Sequence, residues 1–186
     1  MKILVSLFLF LLMITSNYSI AENLGQSTGY KLPRFVSTKS DESNLRVGAN
    51  LDYPILLTYK VKNFPLKIID EYEIWRKVID IDGNEGWMHK SLLQGSRYGV
   101  IKTAHEQEVQ IYNKPEGVMV GKIGNRNIVK INKCFNLWCH ISLNNHQGWI
   151  NKINVWGVYK NEIYKINFTQ PLIEIYWKFM SYIQKS

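Results

Sequence analysis

The sequence predicts an all-β protein made of two small β-barrels in tandem, and an internal repeat is the main observation behind this prediction. Trp75 is followed by a β-branched residue, a polar turn and Gly86-Trp87, and the same unit recurs from Trp138 to Gly148-Trp149. Similarity at a fixed period indicates repeated structural units. The copies lie about 60 residues apart, close to the smallest size at which a domain folds alone.

Short runs rich in β-branched and aromatic residues, separated by Gly, Asn, Asp and Pro, predict the strands of each barrel. The runs are 43–47, 55–59, 66–70, 74–81 and 86–89 in the first unit, and 109–112, 118–123, 128–132, 138–143 and 148–151 in the second. Asp82-Gly83-Asn84 and Asn144-Asn145 are hairpin signals at matching places. Closed barrels are favoured because closure removes the exposed edges of an open sheet.

The first 21 residues have the pattern of a secretory signal peptide. Lys2 precedes an apolar run over 3–14 that only Ser6 interrupts, and Ser19-Ile20-Ala21 supplies small residues before a cleavage point at Glu22. The run is too short to span a bilayer comfortably, although a retained N-terminal anchor is the alternative. We therefore expect an exported protein, periplasmic or secreted, cleaved near Ala21.

After the signal peptide (1–21), we expect four further regions: a flexible leader (22–34), a first barrel (35–96), a second barrel (97–160) and a C-terminal extension (161–186). The leader is rich in Gly, Ser, Thr and Gln, as mobile chain ends often are. In the extension, Pro171 is suited to the first position of a helix. The polar residues that follow are spaced by four, three and four positions: Glu174, Lys178, Ser181 and Lys185. This spacing predicts a short amphipathic helix.

The opposite face of that helix is strongly apolar and includes Tyr176, Trp177, Phe179 and Met180. A face of this kind needs a covering surface. The helix either docks on the barrels or self-associates, or it contacts a membrane surface or a partner groove.

Several stretches of the sequence resemble the bacterial SH3-like domain, and the chain as a whole resembles the tandem secreted form found in alphaproteobacteria. The resemblance covers 35–159 and is carried by Asn44-Leu45-Arg46-Val47-Gly48, Asp52-Tyr53-Pro54-Ile55, Trp75 and Gly86-Trp87. The second unit departs from it, with Val109-Gln110-Ile111-Tyr112 in place of the Asn-Leu-Arg-Val-Gly stretch. The resemblance implies two barrels of five to seven strands and, in many members, attachment to peptidoglycan or other envelope components.

Aromatic and basic residues of the first unit are the candidates for ligand contact. Tyr53 and Tyr72 fall in predicted loops, where exposed aromatic residues often serve binding, and the resemblance implies that the loop from Gly48 to Pro54 borders a groove. Tyr53, Tyr72, Trp87 and Arg46 form the predicted ligand-binding set. The recurring Trp75, Trp87, Trp138 and Trp149 are nevertheless expected mainly to pack the barrels.

Cys134 and Cys139 are predicted to form a disulfide, because a hairpin with a four-residue connection brings facing positions within reach in an oxidising compartment. A metal site with His140 and a catalytic thiol are the less favoured alternatives. Alignment of the two units puts Glu71 at the position of Cys134 and Arg76 at that of Cys139. We therefore expect an ion pair in the first barrel where the second has the disulfide.

No catalytic or metal-binding motif accompanies these features: the four His residues lack ligand spacing, and neither a phosphate loop nor a nucleophile elbow is present. We expect a protein that is not an enzyme and uses no metal or cofactor. The net charge of +8 is scattered along the chain, which fits an anionic wall or membrane better than nucleic acid. The expected function is peptidoglycan binding through the first barrel; the alternative is a periplasmic protein-interaction adaptor or inhibitor that uses the barrel groove or the C-terminal helix.

Overall fold

The computed structural model describes residues 22–103 and 108–165, and this part of the chain is all-β, with two seven-stranded sheets. The predicted signal peptide lies outside the described residues. So does the predicted helix with Tyr176, Trp177, Phe179 and Met180. Helical structure in residues 22–103 and 108–165 consists of three-residue 3₁₀ turns, none of which could span a bilayer.

The first sheet is built from the N-terminal half of the chain. Its strands are β1 (Arg34–Thr38), β2 (Ser43–Arg46), β3 (Ile55–Tyr59), β4 (Pro65–Tyr72), β5 (Trp75–Ile79), β6 (Glu85–His89) and β7 (Leu93–Gln94). Neighbouring strands follow the order β3-β2-β6-β5-β4-β1-β7, and each pairing is antiparallel. A 3₁₀ turn over Lys90–Leu92 leads from β6 into β7.

The second sheet repeats this topology strand for strand. Its strands are β8 (Tyr98–Ile101), β9 (Glu108–Tyr112), β10 (Met119–Gly124), β11 (Ile128–Phe135), β12 (Trp138–Leu143), β13 (His146–Asn151) and β14 (Val155–Trp156), in the order β10-β9-β13-β12-β11-β8-β14. Another 3₁₀ turn, over Lys152–Asn154, precedes β14. The identical order means that the internal repeat seen in the sequence is a repeat of structure.

Each sheet wraps around its own apolar core. The first core includes Leu45, Leu66, Val78 and Met88, all fully buried. The second has the fully buried Val129 and Ile150 and the nearly buried Ile131 and Ile141. Along β2 and β6, more buried and more exposed side chains alternate, as the pleat requires. The face of each sheet that contacts its core is apolar.

A disulfide joins Cys134 and Cys139 across the hairpin of β11 and β12, as predicted. The two residues are directly opposite in the strand register, and both are fully buried. At the matching place in the first sheet, Glu71 is directly opposite Arg76, so the expected ion pair is also present. Its burial was not expected: Glu71 is 2% exposed and Arg76 5%.

Glu71 also fixes the N-terminal segment to the first barrel. Its carboxylate accepts hydrogen bonds from the backbone N–H of Ser27 (3.2 Å) and Thr28 (2.9 Å) and from the Thr28 hydroxyl, and it pairs with Arg34 and with Arg76 (3.4 Å). Burial by itself raises the pKa of the Glu71 carboxyl, but the hydrogen bonds from Arg34 and Thr28 and the two positive charges outweigh it and lower the pKa. The predicted leader thus has specific contacts; its flexibility stays a prediction.

The segment after β14 is attached to the second barrel in a related way. Arg97, which begins the second barrel as Arg34 begins the first, pairs with Glu162 at 2.5 Å. The backbone of Tyr164 exchanges two hydrogen bonds with that of Cys134. The buried Lys152 ammonium donates to carbonyls of Asn136 and Glu162, and burial lowers its pKa.

Aromatic packing connects the two barrels. The ring of Phe35 on β1 lies 5.2 Å from that of Trp156 on β14 and 4.9 Å from that of Tyr159. The Tyr159 hydroxyl donates to the carbonyl of Pro33 at 2.8 Å. Arg126 and Asp82 form an ion pair between hairpins of the two barrels at 2.5 Å.

We predict that replacing both cysteines with alanine lowers the free energy of unfolding by about 2 kcal/mol, because the disulfide closes only a short loop. Urea denaturation followed by tryptophan fluorescence measures the change. Reductant should destabilise the wild type by a similar amount and leave the double variant unaffected. Equal stability of wild type and variant without reductant would show that the bridge adds nothing.

We further predict that Glu71→Gln lowers the free energy of unfolding at pH 7 by about 3 kcal/mol, because Arg34 and Arg76 lose a buried counter-charge. The folded-state pKa of Glu71 is depressed, so its contribution is complete above the unfolded pKa of about 4.3 and is lost as the pH falls through the folded value. Urea titrations at pH 7 and pH 3 should show the gap between the two proteins shrinking in acid.

The matched control for this experiment is Glu85→Gln, which removes a half-exposed carboxylate paired with Lys77. An exposed pair contributes little, so this variant should unfold like the wild type at both pH values. A constant gap between wild type and Glu71→Gln from pH 7 to pH 3 would contradict the assigned role of the carboxylate.

Candidate functional site

The loop between β2 and β3 is held in shape by one arginine. Arg46, the last residue of β2, donates from Nη1 to the carbonyls of Leu51 (2.9 Å) and Tyr53 (2.7 Å). The backbone N–H of Val47 donates to the carbonyl of Pro54 at 3.1 Å and closes the loop at its base. Loop carbonyls lack partners in a sheet ladder and need other donors. Arg46, which is predicted to bind ligand, therefore also stabilises the conformation of this loop.

This loop and the start of β3 expose apolar side chains. Val47, Leu51, Tyr53, Ile55 and Leu56 are between 49% and 67% exposed. Single exposed apolar residues are common, but a contiguous group of them marks an interaction surface in many soluble proteins. We call these five residues the loop patch.

Trp87 lies beside the loop patch on the outer face of the first sheet. Arg46 on β2 and Lys77 on β5 are both directly opposite Trp87 of β6, and residues opposite one another on neighbouring strands share a face. Trp87 is partly buried. The structure thus brings together Arg46, Tyr53 and Trp87, three of the four predicted contact residues.

Tyr72, the fourth predicted residue, lies at the hairpin end of the same outer face. It ends β4 opposite Trp75, which in turn is opposite His89 on β6. Trp75 and His89 pack edge to face with centroids 5.5 Å apart, whereas Tyr72 is 52% exposed. With β5 between their strands, Tyr72 and Trp87 are separate positions on one face.

Trp75 and Trp149 are buried, as expected of residues that pack the barrels, whereas Trp87 and Trp138 are only partly buried. Neither core cluster includes Trp75, Trp87, Trp138 or Trp149. The core-facing residues are their strand neighbours, such as Met88 and Ile150. A period of two alone cannot tell which of two apolar faces points inward.

In the second barrel, the equivalent outer face is covered by its own side chains. Trp149, which corresponds to Trp87, is 8% exposed and packs on Phe135 (5.1 Å) and His140 (5.0 Å), with the Lys133 ammonium 5.3 Å from its ring centre. Burial and the charge of Lys133 lower the pKa of His140. Tyr112 replaces Arg46 and packs edge to face on Trp138. The open aromatic face is a property of the first barrel.

Nothing in the described part of the chain groups three or more His, Cys, Asp or Glu residues as a metal site would require. Both cysteines are used in the disulfide. His89 accepts from the backbone N–H of Ser91 and caps a 3₁₀ turn, which is a structural role.

Comparisons with known proteins give the following similarities. The family model described as the bacterial SH3 domain matches residues 39–95 and 106–157, more than half of the chain. No curated protein sequence matches significantly. The first range contains strands β2 to β7, and the second contains β9 to β14.

Among solved structures, the chain is similar to NlpC1 from Trichomonas vaginalis, with 16% identity and a TM-score of 0.32 over 71% of this chain and 48% of that one. It is similar to NlpC2 from the same organism, with 13% identity and a TM-score of 0.31 over 74% and 51%. Endolysin LysPBC5 CBD shows 15% identity and a TM-score of 0.27 over 73% and 96%. The chain thus spans about half the length of the two NlpC chains.

We predict that Arg46→Ala increases hydrogen exchange of the amides in the loop between β2 and β3, because two carbonyls lose their donor. Stability should fall by about 1 kcal/mol, as expected for exposed hydrogen bonds to a charged group. Exchange mass spectrometry checks the first effect and urea denaturation the second. Lys77→Ala, on the same face, should leave loop exchange unchanged; loop protection equal to wild type in Arg46→Ala would refute the assigned role.

Proposed function

The chain belongs to the bacterial SH3 domain family, and from this premise we propose that it is an exported, non-enzymatic protein that binds the bacterial cell wall. The proposed ligand is peptidoglycan, and the proposed binding surface is the outer face of the first barrel. The loop patch and Trp87 supply the contact area. The proposal assigns no ligand contact to the second barrel.

The observation that carries the proposal is the contrast between the two outer faces. The first barrel leaves Tyr53, in the loop between β2 and β3, and Tyr72, at the end of β4, about half exposed. The second covers Trp149, the equivalent of Trp87, with Phe135 and His140. Exposed aromatic residues offer large, rigid and amphipathic contact area, which suits the flat apolar faces of sugar rings.

Charge supports the same proposal. The chain carries a net charge of +8, and the outer face of the first barrel presents Arg46 and Lys77 on either side of Trp87. Peptidoglycan stem peptides carry carboxylates, and basic groups favour anionic ligands. Export is proposed from residues 1–21, whose apolar run and small residues before Glu22 have the pattern of a cleaved signal.

We predict that the mature form, residues 22–186, pellets with purified peptidoglycan sacculi at physiological salt, and that Tyr53→Ala and Trp87→Ala each reduce the bound fraction at least about fivefold. A loss of this size corresponds to removal of one aromatic contact, on the order of 1 kcal/mol. The readout is the fraction of protein in the pellet, with circular dichroism used to verify folding.

Tyr30→Ala is the matched control, because Tyr30 is a 66% exposed tyrosine on the N-terminal segment and should not affect pelleting. A variant ending at Lys165 keeps the contacts of Glu162 and Tyr164 and removes only the tail. Loss of pelleting in this variant alone would move the binding site to residues 166–186. Absence of pelleting by the wild type would reject wall binding.

A protein-interaction role is the second candidate, and the position of β3 favours it. Strand β3 ends the order of the first sheet, and Ile55 and Leu56 on it are about half exposed. A free sheet edge with apolar side chains can accept an extended segment of another protein as an added strand. A protein that fails to pellet with sacculi and forms a stoichiometric complex with a periplasmic protein would fit this role.

A further inference from the structure

Three aliphatic residues of the second barrel form an exposed patch that the function proposed above does not use. Leu137 lies in the turn between β11 and β12, Ile153 in the 3₁₀ turn before β14, and Ile163 in the segment after β14. They are 55%, 74% and 74% exposed, respectively. A single exposed apolar residue is common, but a group of them marks an interaction surface in many soluble proteins. We call these three residues the turn patch.

The buried Lys152 connects the three segments that carry the turn patch. Its backbone N–H donates to the carbonyl of Leu137 at 2.8 Å. Its ammonium donates to the carbonyl of Glu162, the residue before Ile163, at 2.6 Å. Ile153 directly follows Lys152 in the chain. Each patch residue is therefore held within one residue or one hydrogen bond of the same lysine, so the three lie close together.

The first barrel has the same backbone contact with a more polar surface. There the N–H of Lys90 donates to the carbonyl of Ile74 at 2.9 Å, which matches the bond from Lys152. Ile74 is 42% exposed, but the residue after Lys90 is the polar Ser91. The conformation of the 3₁₀ turn thus does not require an aliphatic residue in the place of Ile153.

The chain itself supplies an apolar segment next to the turn patch. The described part of the chain ends at Lys165, two residues after Ile163. The backbone of Tyr164 is fixed to that of Cys134 by hydrogen bonds of 3.0 Å and 2.9 Å. Residues 166–171 can extend about 20 Å from this point. That length is ample for a patch whose three members share one hydrogen-bonding partner.

The segment 172–185 has the composition that a covering element needs. Its predicted helix has one polar stripe, and the other face is apolar. That face carries Leu172, Ile173, Ile175, Tyr176, Trp177, Phe179, Met180, Tyr182 and Ile183. A short tether gives a segment an effective concentration of millimolar order at a nearby site. Connectivity therefore favours this segment over a second copy or another protein as the occupant of the turn patch.

We propose that residues 172–185 bind the turn patch of the same molecule, with their apolar face on Leu137, Ile153 and Ile163. Removal of apolar surface from water on both sides of the contact is the driving force. The contact holds residues 162–165 between the second barrel and the bound segment. It also covers the aromatic residues of the segment, so that they are not available to a membrane.

The test is hydrogen exchange of the amides in 172–185, measured by mass spectrometry on the mature form (residues 22–186). These amides should exchange slowly in the wild type, at a rate that does not depend on protein concentration. Ile153→Ser, which introduces the residue of the first barrel, should speed their exchange at least fivefold, because an apolar contact is lost. Leu137→Ser should have a similar effect. Both variants should leave the exchange of β4 to β6 unchanged.

Ile74→Ser is the matched control, because Ile74 takes the place of Leu137 in the first barrel and is also exposed. This variant should leave the exchange of 172–185 as in the wild type. Fast exchange of 172–185 in the wild type, or unchanged exchange in both Leu137→Ser and Ile153→Ser, would overturn the proposal.

Photocrosslinking identifies the occupant directly. A benzophenone amino acid in place of Ile153 should crosslink to 172–185 within one molecule, and the same group in place of Ser91 should not. Crosslinks only between molecules would assign the patch to a second copy. Protection of 172–185 that arises only with phosphatidylglycerol vesicles would assign the segment to a membrane. Either result would overturn the proposal.

This proposal does not depend on wall binding, since the two surfaces lie on different barrels. Tyr53→Ala should reduce pelleting with sacculi and leave the exchange of 172–185 unchanged. Ile153→Ser should have the opposite pattern. Failure of one proposal is therefore visible without failure of the other.

Discussion

The first barrel depends on the buried carboxylate of Glu71. It lies at the end of a hairpin, pairs with Arg76 across the strands, and also binds Arg34 at the start of β1 and the backbone of Ser27 and Thr28. A buried charge is costly unless its hydrogen-bonding capacity is filled. Glu71 thereby connects the hairpin of β4 and β5, strand β1 and the N-terminal segment. We expect these three parts to become ordered, or to lose their order, together.

In the second barrel, a disulfide takes the place of the Glu71–Arg76 ion pair, and other residues supply the contacts that Glu71 makes in the first barrel. Cys134 at the position of Glu71 makes a disulfide but offers no negative charge to Arg97. Glu162 from the segment after β14 supplies that charge, and Tyr164 pairs with the backbone of Cys134. The C-terminal segment is thus part of the second barrel in the way that the N-terminal segment is part of the first.

The repeat, the hairpins and the disulfide were predictable because each leaves a local pattern of spacing and turn residues. Strands β1 and β8 were missed, since Arg34–Thr38 and Tyr98–Ile101 are single short strands whose partners lie far along the chain, and local patterns do not report such pairing. The different burial of the four Trp residues was not predictable from their alternation, because both faces of the sheets are partly apolar. The grouping of Arg46, Tyr53 and Trp87 was anticipated by their resemblance to a known family. The burial of Glu71 was not, because it depends on partners at Ser27 and Thr28, more than 40 residues away in the sequence.

The different ties of the two barrels also bear on how a duplicated chain folds. Neighbouring domains of like topology can exchange equivalent strands during folding. Arg34 and Arg97 stand at equivalent places, and each pairs with a carboxylate, Glu71 in the first barrel and Glu162 in the second, so charge alone does not distinguish β1 from β8. The cysteines do distinguish the two hairpins: both belong to the second barrel, so oxidation within one molecule cannot join the two repeats to each other.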